Sequence, residues 1–249
     1  MACAKRLHDA GVDRHKILHQ LGSVVAAHLH GAFTNRQAVD HAAYRQALDA
    51  LRPPSSKRRT KSAVAPVRDA VYQVKVILHG AKPPIWRRLR LPASTTLAQL
   101  HQVIQVAFVW EDAHLHAFEV GGRRYSRPDF ELWDEAADEG KARLQDLASR
   151  PGARLRYTYD FGDSWEHDVL VEDALAPDGV PHAVCLAGRR AGPPEDCGGV
   201  WGYAELCEIL ADPNHPDHGE RVEWLGHPHD PAAFDKDAIN TSLARIRLG

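Results

Sequence analysis

Hydrophobic positions recur along this chain with two periods, and the switch between them divides it. Leu18, Leu21, Val24, Val25 and Leu29 repeat at helical spacing and Ala38 to Leu51 continues in the same way, which predicts a helical hairpin over residues 1–51. From residue 71 the period drops to two. Val71 to Leu78 and Ile85 to Leu91 alternate as strands about Gly80-Ala81-Lys82-Pro83-Pro84, whose glycine and prolines suit a turn. Leu97, Leu100, Val103, Ile104, Ala107 and Phe108 then form a helical stripe that Ser94 or Thr95 can cap. His114 to Val120 and Arg123 to Tyr125 flank Gly121-Gly122, a dipeptide that accepts the positive φ angles of a tight hairpin.

Further along, the pattern predicts a short helix at Lys141 to Ala148 and strands at Arg154 to Tyr159 and Glu166 to Val171. A long Pro/Gly loop from Ala176 to Gly199 precedes a helix over Tyr203 to Leu210. A last helix follows Asp230-Pro231, with Asp230 as its cap and Ile239, Leu243 and Ile246 as its buried face. This order lacks the β-α alternation of a doubly wound fold. It predicts an α+β domain over 70–249: a mostly antiparallel sheet of about six strands covered by helices.

Between the two regions runs Arg52-Pro53-Pro54-Ser55-Ser56-Lys57-Arg58-Arg59-Thr60-Lys61-Ser62, where prolines stop a helix and like charges repel. We read residues 52–69 as a basic linker. The net charge of −2 hides an asymmetry, +7 over residues 1–70 against −9 over 71–249. The basic 52–68 stretch can gather nucleic acid by counterion release, but a short charged linker is more often only solvated. The small N-terminal hairpin buries little by itself and is expected to dock on the main domain, a protein partner or a second copy of the chain. Its His15 and His19 share a helix face but lack the adjoining glutamate of a metalloprotease motif, and we read them as packing residues.

At 44% hydrophobic and 26% charged, the 249 residues fall in the globular range and exclude disordered and fibrous classes. No apolar run approaches the roughly 18 residues a membrane span needs, and Met1-Ala2-Cys3-Ala4-Lys5-Arg6 lacks the core of a signal peptide, so a cytoplasmic address is expected. Cysteines at 3, 185, 197 and 207 form no C-x-x-C pair, which leaves neither a disulfide framework nor a zinc ribbon. Nucleotide loops and nucleophile elbows are missing too, so no nucleotide or organic cofactor is expected.

Sixteen histidines are many for this length, and three segments concentrate side chains that bind metals or move protons. In the first, Trp110 to Phe118, His114 and His116 lie two apart, about 6.6 Å along one strand face, a spacing that chelates. In the second, Tyr157 to His167, alternation turns His167 inward while Asp160 and Asp163 sit at the rim of a turn. The third, Pro193-Pro194-Glu195-Asp196-Cys197-Gly198-Gly199, holds two carboxylates on a stiffened loop. Each has a plainer reading: hydrogen-bonded packing histidines, turn aspartates, and carboxylates at a helix start.

At these segments the sequence resembles the family named after the third open reading frame of plasmid pRiA4b, whose members are also labelled TnpR-like passenger proteins of insertion elements. The likeness spans 70–249 through Trp110, His114-Leu115-His116, Phe118, Tyr159 to Asp163, Trp165, His167, Pro193 to Gly199, Gly202-Tyr203, Phe234-Asp235 and Asn240. It implies an α+β domain found in bacteria and archaea, often on mobile elements, and supplies no catalytic residue. Gly192 stands where many members are expected to carry cysteine.

Two functions follow as expectations. In one, His114, His116, His167 and Asp163 hold zinc or manganese and Glu195 or Asp196 takes a proton from water, which makes a metal-dependent hydrolase or nuclease. In the other, Trp110, Trp165, Trp201 and Tyr203 line a groove of a non-catalytic adaptor module. A serine recombinase, which the TnpR label suggests, finds no supporting pattern.

Overall fold

The structure, a computed structural model, describes residue 6 and residues 41–51, 70–128, 136–177 and 179–248. The chain divides into two compact units, residues 1–63 and 64–249. In the first unit helix α1 (His41–Ala50) ends on carbonyls that Arg6 reaches, its Nη2 donating to the oxygens of Leu48, Asp49 and Leu51 at 3.2 Å. Cations suit this end of a helix. The helix predicted at Leu18 to Leu29, with His15, His19 and the 52–69 linker, lies outside the described residues.

The second unit is built on one eight-stranded sheet. Its strands are β1 (Val71–Leu78), β2 (Trp86–Pro92), β3 (His116–Val120), β4 (Arg123–Ser126), β5 (Ala137–Asp138), β6 (Arg154–Tyr159), β7 (Trp165–Leu175) and β8 (Val184–Arg189). The order across the sheet is β5-β4-β3-β6-β7-β1-β2-β8, antiparallel except where β4 meets β5. Helices are α2 (Leu97–Phe108), α3 (Leu144–Leu147), α4 (Gly199–Ala211), α5 (His218–Leu225) and α6 (Lys236–Leu243). Among the described residues no helix is long and apolar enough to cross a membrane.

Alternation decides the faces. Tyr72, Val74, Val76 and Leu78 of β1, Leu155, Tyr157 and Tyr159 of β6, and Trp165, His167, Val169 and Val171 of β7 are buried. Gln73, Arg88 and Glu172 meet on the opposite face, where Arg88 grips Glu172 with bonds of 2.6 and 2.9 Å. A capping box starts α2, but its cap is Thr96, one residue beyond the predicted pair: Thr96 Oγ1 accepts from Gln99 N, and Gln99 Oε1 accepts from Thr96 N. Thr95 instead donates to Pro92 O.

Three elements were not anticipated. β8 lies inside the stretch expected to be loop, pairing with β2 along the sheet edge. Its outer edge is satisfied by a side chain: Asn240 Oδ1 accepts from Cys185 N at 2.7 Å, and Asn240 Nδ2 donates to Cys185 O at 3.1 Å. That amide copies a strand's hydrogen bonds and closes an edge that would otherwise be open. β5 and α5 also lack a clear period. The last helix starts later than predicted, because Asp235 caps it by accepting from Asp237 N and Ala238 N, while Asp230 only turns the chain by accepting from Ala232 N. Ile239 and Leu243 are buried as expected.

Arg87 is the unexpected core residue. Its guanidinium is sealed between the rings of Phe108 and Phe234, 4.9 and 5.0 Å away. Nε donates to Ala107 O at 2.7 Å, and Nη1 to Trp86 O and Arg189 O at 2.9 and 3.1 Å. Burial pulls this group down to about 10, so it stays charged at neutral pH. It pins the end of α2 to the β2–β8 edge.

Candidate functional site

The end of α2, the β6–β7 turn and the Pro/Gly loop meet at one edge of the unit. Val109 ends α2 in the left-handed region, which throws the chain into the 110–115 loop. Trp110 Nε1 donates to Pro193 O at 2.9 Å and Glu111 N to Glu195 Oε1 at 2.9 Å, tying that loop to the third segment. Asp160 N donates to Leu115 O at 2.8 Å, while its own Oδ1 accepts from Gly162 N and Asp163 N and closes the turn. Asp112, Asp160, Ser164 and Asp196 all have positive φ, between 52 and 57°. Non-glycine residues hold such angles only where their surroundings compel it.

His114 stands at the centre of this arrangement. Its Nδ1 lies 3.8 Å from Asp160 Oδ2, and its Nε2 lies 3.3 Å from Asp196 Oδ1 and 3.9 Å from Glu195 Oε2. Nε2 is shielded from solvent yet makes no hydrogen bond. One donor atom each from His114, Asp160 and Asp196 falls within 4.8 Å of the others. Glu195 is fixed by its other oxygen: Oε1 accepts from the Tyr159 hydroxyl at 2.7 Å. That hydroxyl in turn accepts from Ala113 N at 3.0 Å and His114 N at 3.3 Å. Burial and then the bond to Glu195 raise the Tyr159 phenol above its ordinary value, which keeps it a donor. The arrangement can take a divalent cation on one imidazole and two carboxylates, with Glu195 beside it.

The remaining predicted ligands sit elsewhere, so only His114 joins Glu195 and Asp196. Asp163 Oδ2 accepts from Gly198 N at 3.1 Å and latches the β6–β7 turn to the Pro/Gly loop. His116 pairs across the sheet with Tyr159 of β6, and His167 pairs with Tyr157 from the other side of β6. One whole strand separates them, about 10 Å. Tyr157 fills the gap, its ring centroid 6.0 Å from His116 and 5.5 Å from His167. His167 is sealed among Phe108, Trp110 and Tyr157, with Nδ1 donating to Trp165 O at 3.0 Å and Nε2 without a partner. Burial drives it down to about 3, so it is neutral.

His116 belongs to a group the sequence reading missed. It stacks on His101 with ring centroids 3.4 Å apart and planes 6° from parallel, and its Nε2 donates to Glu139 Oε2 at 2.9 Å. His101 Nε2 lies 2.8 Å from Asp112 Oδ1 and its Nδ1 lies 2.8 Å from the Tyr157 hydroxyl. Burial and then the His116 ring push His101 down to about 4. A signal was present in the chain: His101 and Gln105 interrupt the apolar stripe of α2 four residues apart, on the face that turned out to be buried.

The aromatic groove is also different from expectation. Trp110, Trp165 and Tyr203 are buried, and only Trp201, 87% exposed, presents its ring to solvent. At Gly192 a Cβ would fall 2.1 Å from Phe108 O, so a cysteine there would push the loop off α2. Burial, then Asp163, push the Cys197 thiol up to about 12, which opposes a thiolate ligand.

Fold and site together define an α+β protein whose sheet carries histidines and carboxylates at one end. The chain belongs to the plasmid pRiA4b ORF-3-like protein family, whose model matches residues 70–238. It is 36% identical over 176 residues to the uncharacterized protein y4hQ of Sinorhizobium fredii, covering 70% of this chain and 91% of that one. A crystal structure of MM3350, a protein of unknown function from Methanosarcina mazei Go1, is similar with a TM-score of 0.61 and 40% identity, covering 68% of this chain and 96% of the other.

Proposed function

We propose that this protein is a metal-dependent hydrolase whose ion is held by His114, Asp160 and Asp196. The observation that carries this is the shielded, unbonded Nε2 of His114, with carboxylate oxygens at 3.3 and 3.9 Å. A buried polar nitrogen without a partner is costly, and an ion removes that cost. Zinc or manganese suits one imidazole with carboxylates, and such an ion supplies Lewis acidity and a nucleophilic water near neutral pH. Three donors leave a coordination position open for chemistry.

Glu195 is the base of this reading. Oε1 is occupied by Tyr159 and Glu111, so Oε2, on the His114 side, is the oxygen that takes the proton. Beside Asp196 opens a hollow of about 240 Å³ whose lining includes Arg221 and Trp224. A guanidinium for a phosphate and a ring for a base to stack on favour a phosphodiester. The −9 balance of residues 71–249 repels such a substrate unless an ion is present, so activity should vanish with chelator. The adaptor reading rests on Trp201, which lines a separate groove of about 710 Å³ with Val200, Ala204 and Lys82.

The test is metal content by inductively coupled plasma mass spectrometry, together with hydrolysis of bis-p-nitrophenyl phosphate. Wild type should carry zinc or manganese and turn over, Glu195→Gln should keep the full ion count and lose turnover, and His114→Ala should lose one equivalent of ion together with turnover. A wild-type protein that takes up no ion under saturating zinc or manganese contradicts the reading.

A further inference from the structure

The stacked histidines are the second group of donors, and four separate elements build it. His101 comes from α2, Asp112 from the loop after it, His116 from the first position of β3, and Glu139 from the residue following β5. Three of the four are sealed: His101 is 4%, His116 5% and Glu139 2% exposed. Asp112 alone reaches solvent, its side chain 44% exposed. We propose that His101, Asp112, His116 and Glu139 form a closed structural site for a divalent transition-metal cation, zinc by the chemistry of its donors.

Gathering comes first. One donor atom each from His101, Asp112 and His116 lies within 4.8 Å of the others, and Glu139 Oε2 lies 2.9 Å from His116 Nε2. Donors about 2.0–2.2 Å from a common ion stand roughly 3.3–3.6 Å apart in a tetrahedron, so His101, Asp112 and His116 need only close in, while Glu139, now bonded to His116 alone, has to swing its carboxylate onto the ion. Ligation by both Nε2 atoms opens the parallel rings into a splayed pair.

Charge comes second. Two carboxylates face two imidazoles, His101 Nε2 standing 2.8 Å from Asp112 Oδ1 and His116 Nε2 2.9 Å from Glu139 Oε2, and Glu139 is sealed from solvent. A dication among them balances both carboxylates.

The surroundings are built to hold these groups still. Glu139 is fixed through its backbone, N donating to Ser126 O at 3.1 Å and O accepting from Ala98 N and Ala142 N at 3.4 Å. Gln105 Nε2 donates to the Tyr157 hydroxyl at 3.1 Å, and Gln105 Oε1 accepts from Asp112 N at 3.0 Å. Without an ion, His101 Nε2–H donates to Asp112 and the Tyr157 hydroxyl donates to Nδ1. When Nε2 ligates, the ring stays neutral with its proton on Nδ1, which then donates to Tyr157. Oriented imidazoles of this kind are typical behind metal ligands. The site differs in kind from the His114 site: protein supplies four donors here and leaves no open position.

The experiment uses the full chain, stripped with chelator and titrated with Co²⁺ and Zn²⁺. Visible d–d bands of four-coordinate cobalt and a zinc-dependent rise in melting temperature are expected for wild type, and His114→Ala, which removes the other proposed site, should keep the share of both that comes from this one. Added to His114→Ala, Asp112→Asn or His116→Gln should abolish the remaining bands and rise; if His116→Gln does not fold, Asp112→Asn, altered at the surface, decides alone. Equal cobalt spectra in wild type and Asp112→Asn would overturn the proposal, as would a wild type whose melting temperature ignores zinc. Failure of the His114 site reads differently: His114→Ala then keeps the full ion count of wild type.

Discussion

The Tyr159 hydroxyl holds Oε1 of Glu195 at 2.7 Å and so decides which carboxylate oxygen turns towards His114. Tyr159→Phe removes that bond and the acceptor for two backbone amides. It should cost about 2 kcal/mol or more in stability. Ion affinity or turnover should fall about 10-fold or more, as when a group orienting a ligand is lost. Parallel urea unfolding and ion titration separate the two effects; a variant that loses stability but binds and turns over like wild type assigns Tyr159 a purely structural role.

Acid should destabilise this protein through His167. Its unfolded value is about 6.5, and burial holds the folded value at about 3. The unfolded chain therefore binds one more proton between these limits. The contribution is complete above about pH 6.5 and is lost as pH falls towards 3, on the order of 4–5 kcal/mol over the window. Urea unfolding as a function of pH should show this slope, and His167→Leu should reduce it by close to one proton. An unchanged slope in that variant would mean another group carries the acid sensitivity.

Arg87 is expected to be the most sensitive core position on the β2–β8 side. Arg87→Leu leaves the carbonyls of Trp86, Ala107 and Arg189 short of a donor and removes the cation between two rings. At about 1 kcal/mol per unmet group plus the ring contacts, the loss should reach about 3 kcal/mol or more. Arg87→Lys keeps the charge but not the fork, and should recover only part of it. Calorimetric melting checks both, and a leucine variant as stable as wild type contradicts this account of the core.

Strands β1, β2 and β6 were readable because each alternates cleanly over six or more residues, and the glycine pair at 121–122 announced the β3–β4 hairpin. β8 was hidden because Val184 to Arg189 sits among prolines and glycines, and its edge partner is an Asn240 side chain 55 residues away. The histidines failed differently. Period two correctly turned His116 and His167 inward but carries no information about strand order, and β6 stands between them. His114 was assigned to β3, yet the strand begins at His116, which frees His114 to meet Asp160. Glu139 could not be found at all, since it lies in an acidic stretch where no period separates buried from exposed carboxylates.

Crystals grown with zinc or manganese and measured on both sides of the metal's absorption edge test the central claim directly. An anomalous peak bounded by His114 Nε2, Asp160 and Asp196, with Glu195 beside it, is the predicted result. Saturated crystals with no peak there, and His114 Nε2 bonded to a protein group instead, would contradict it.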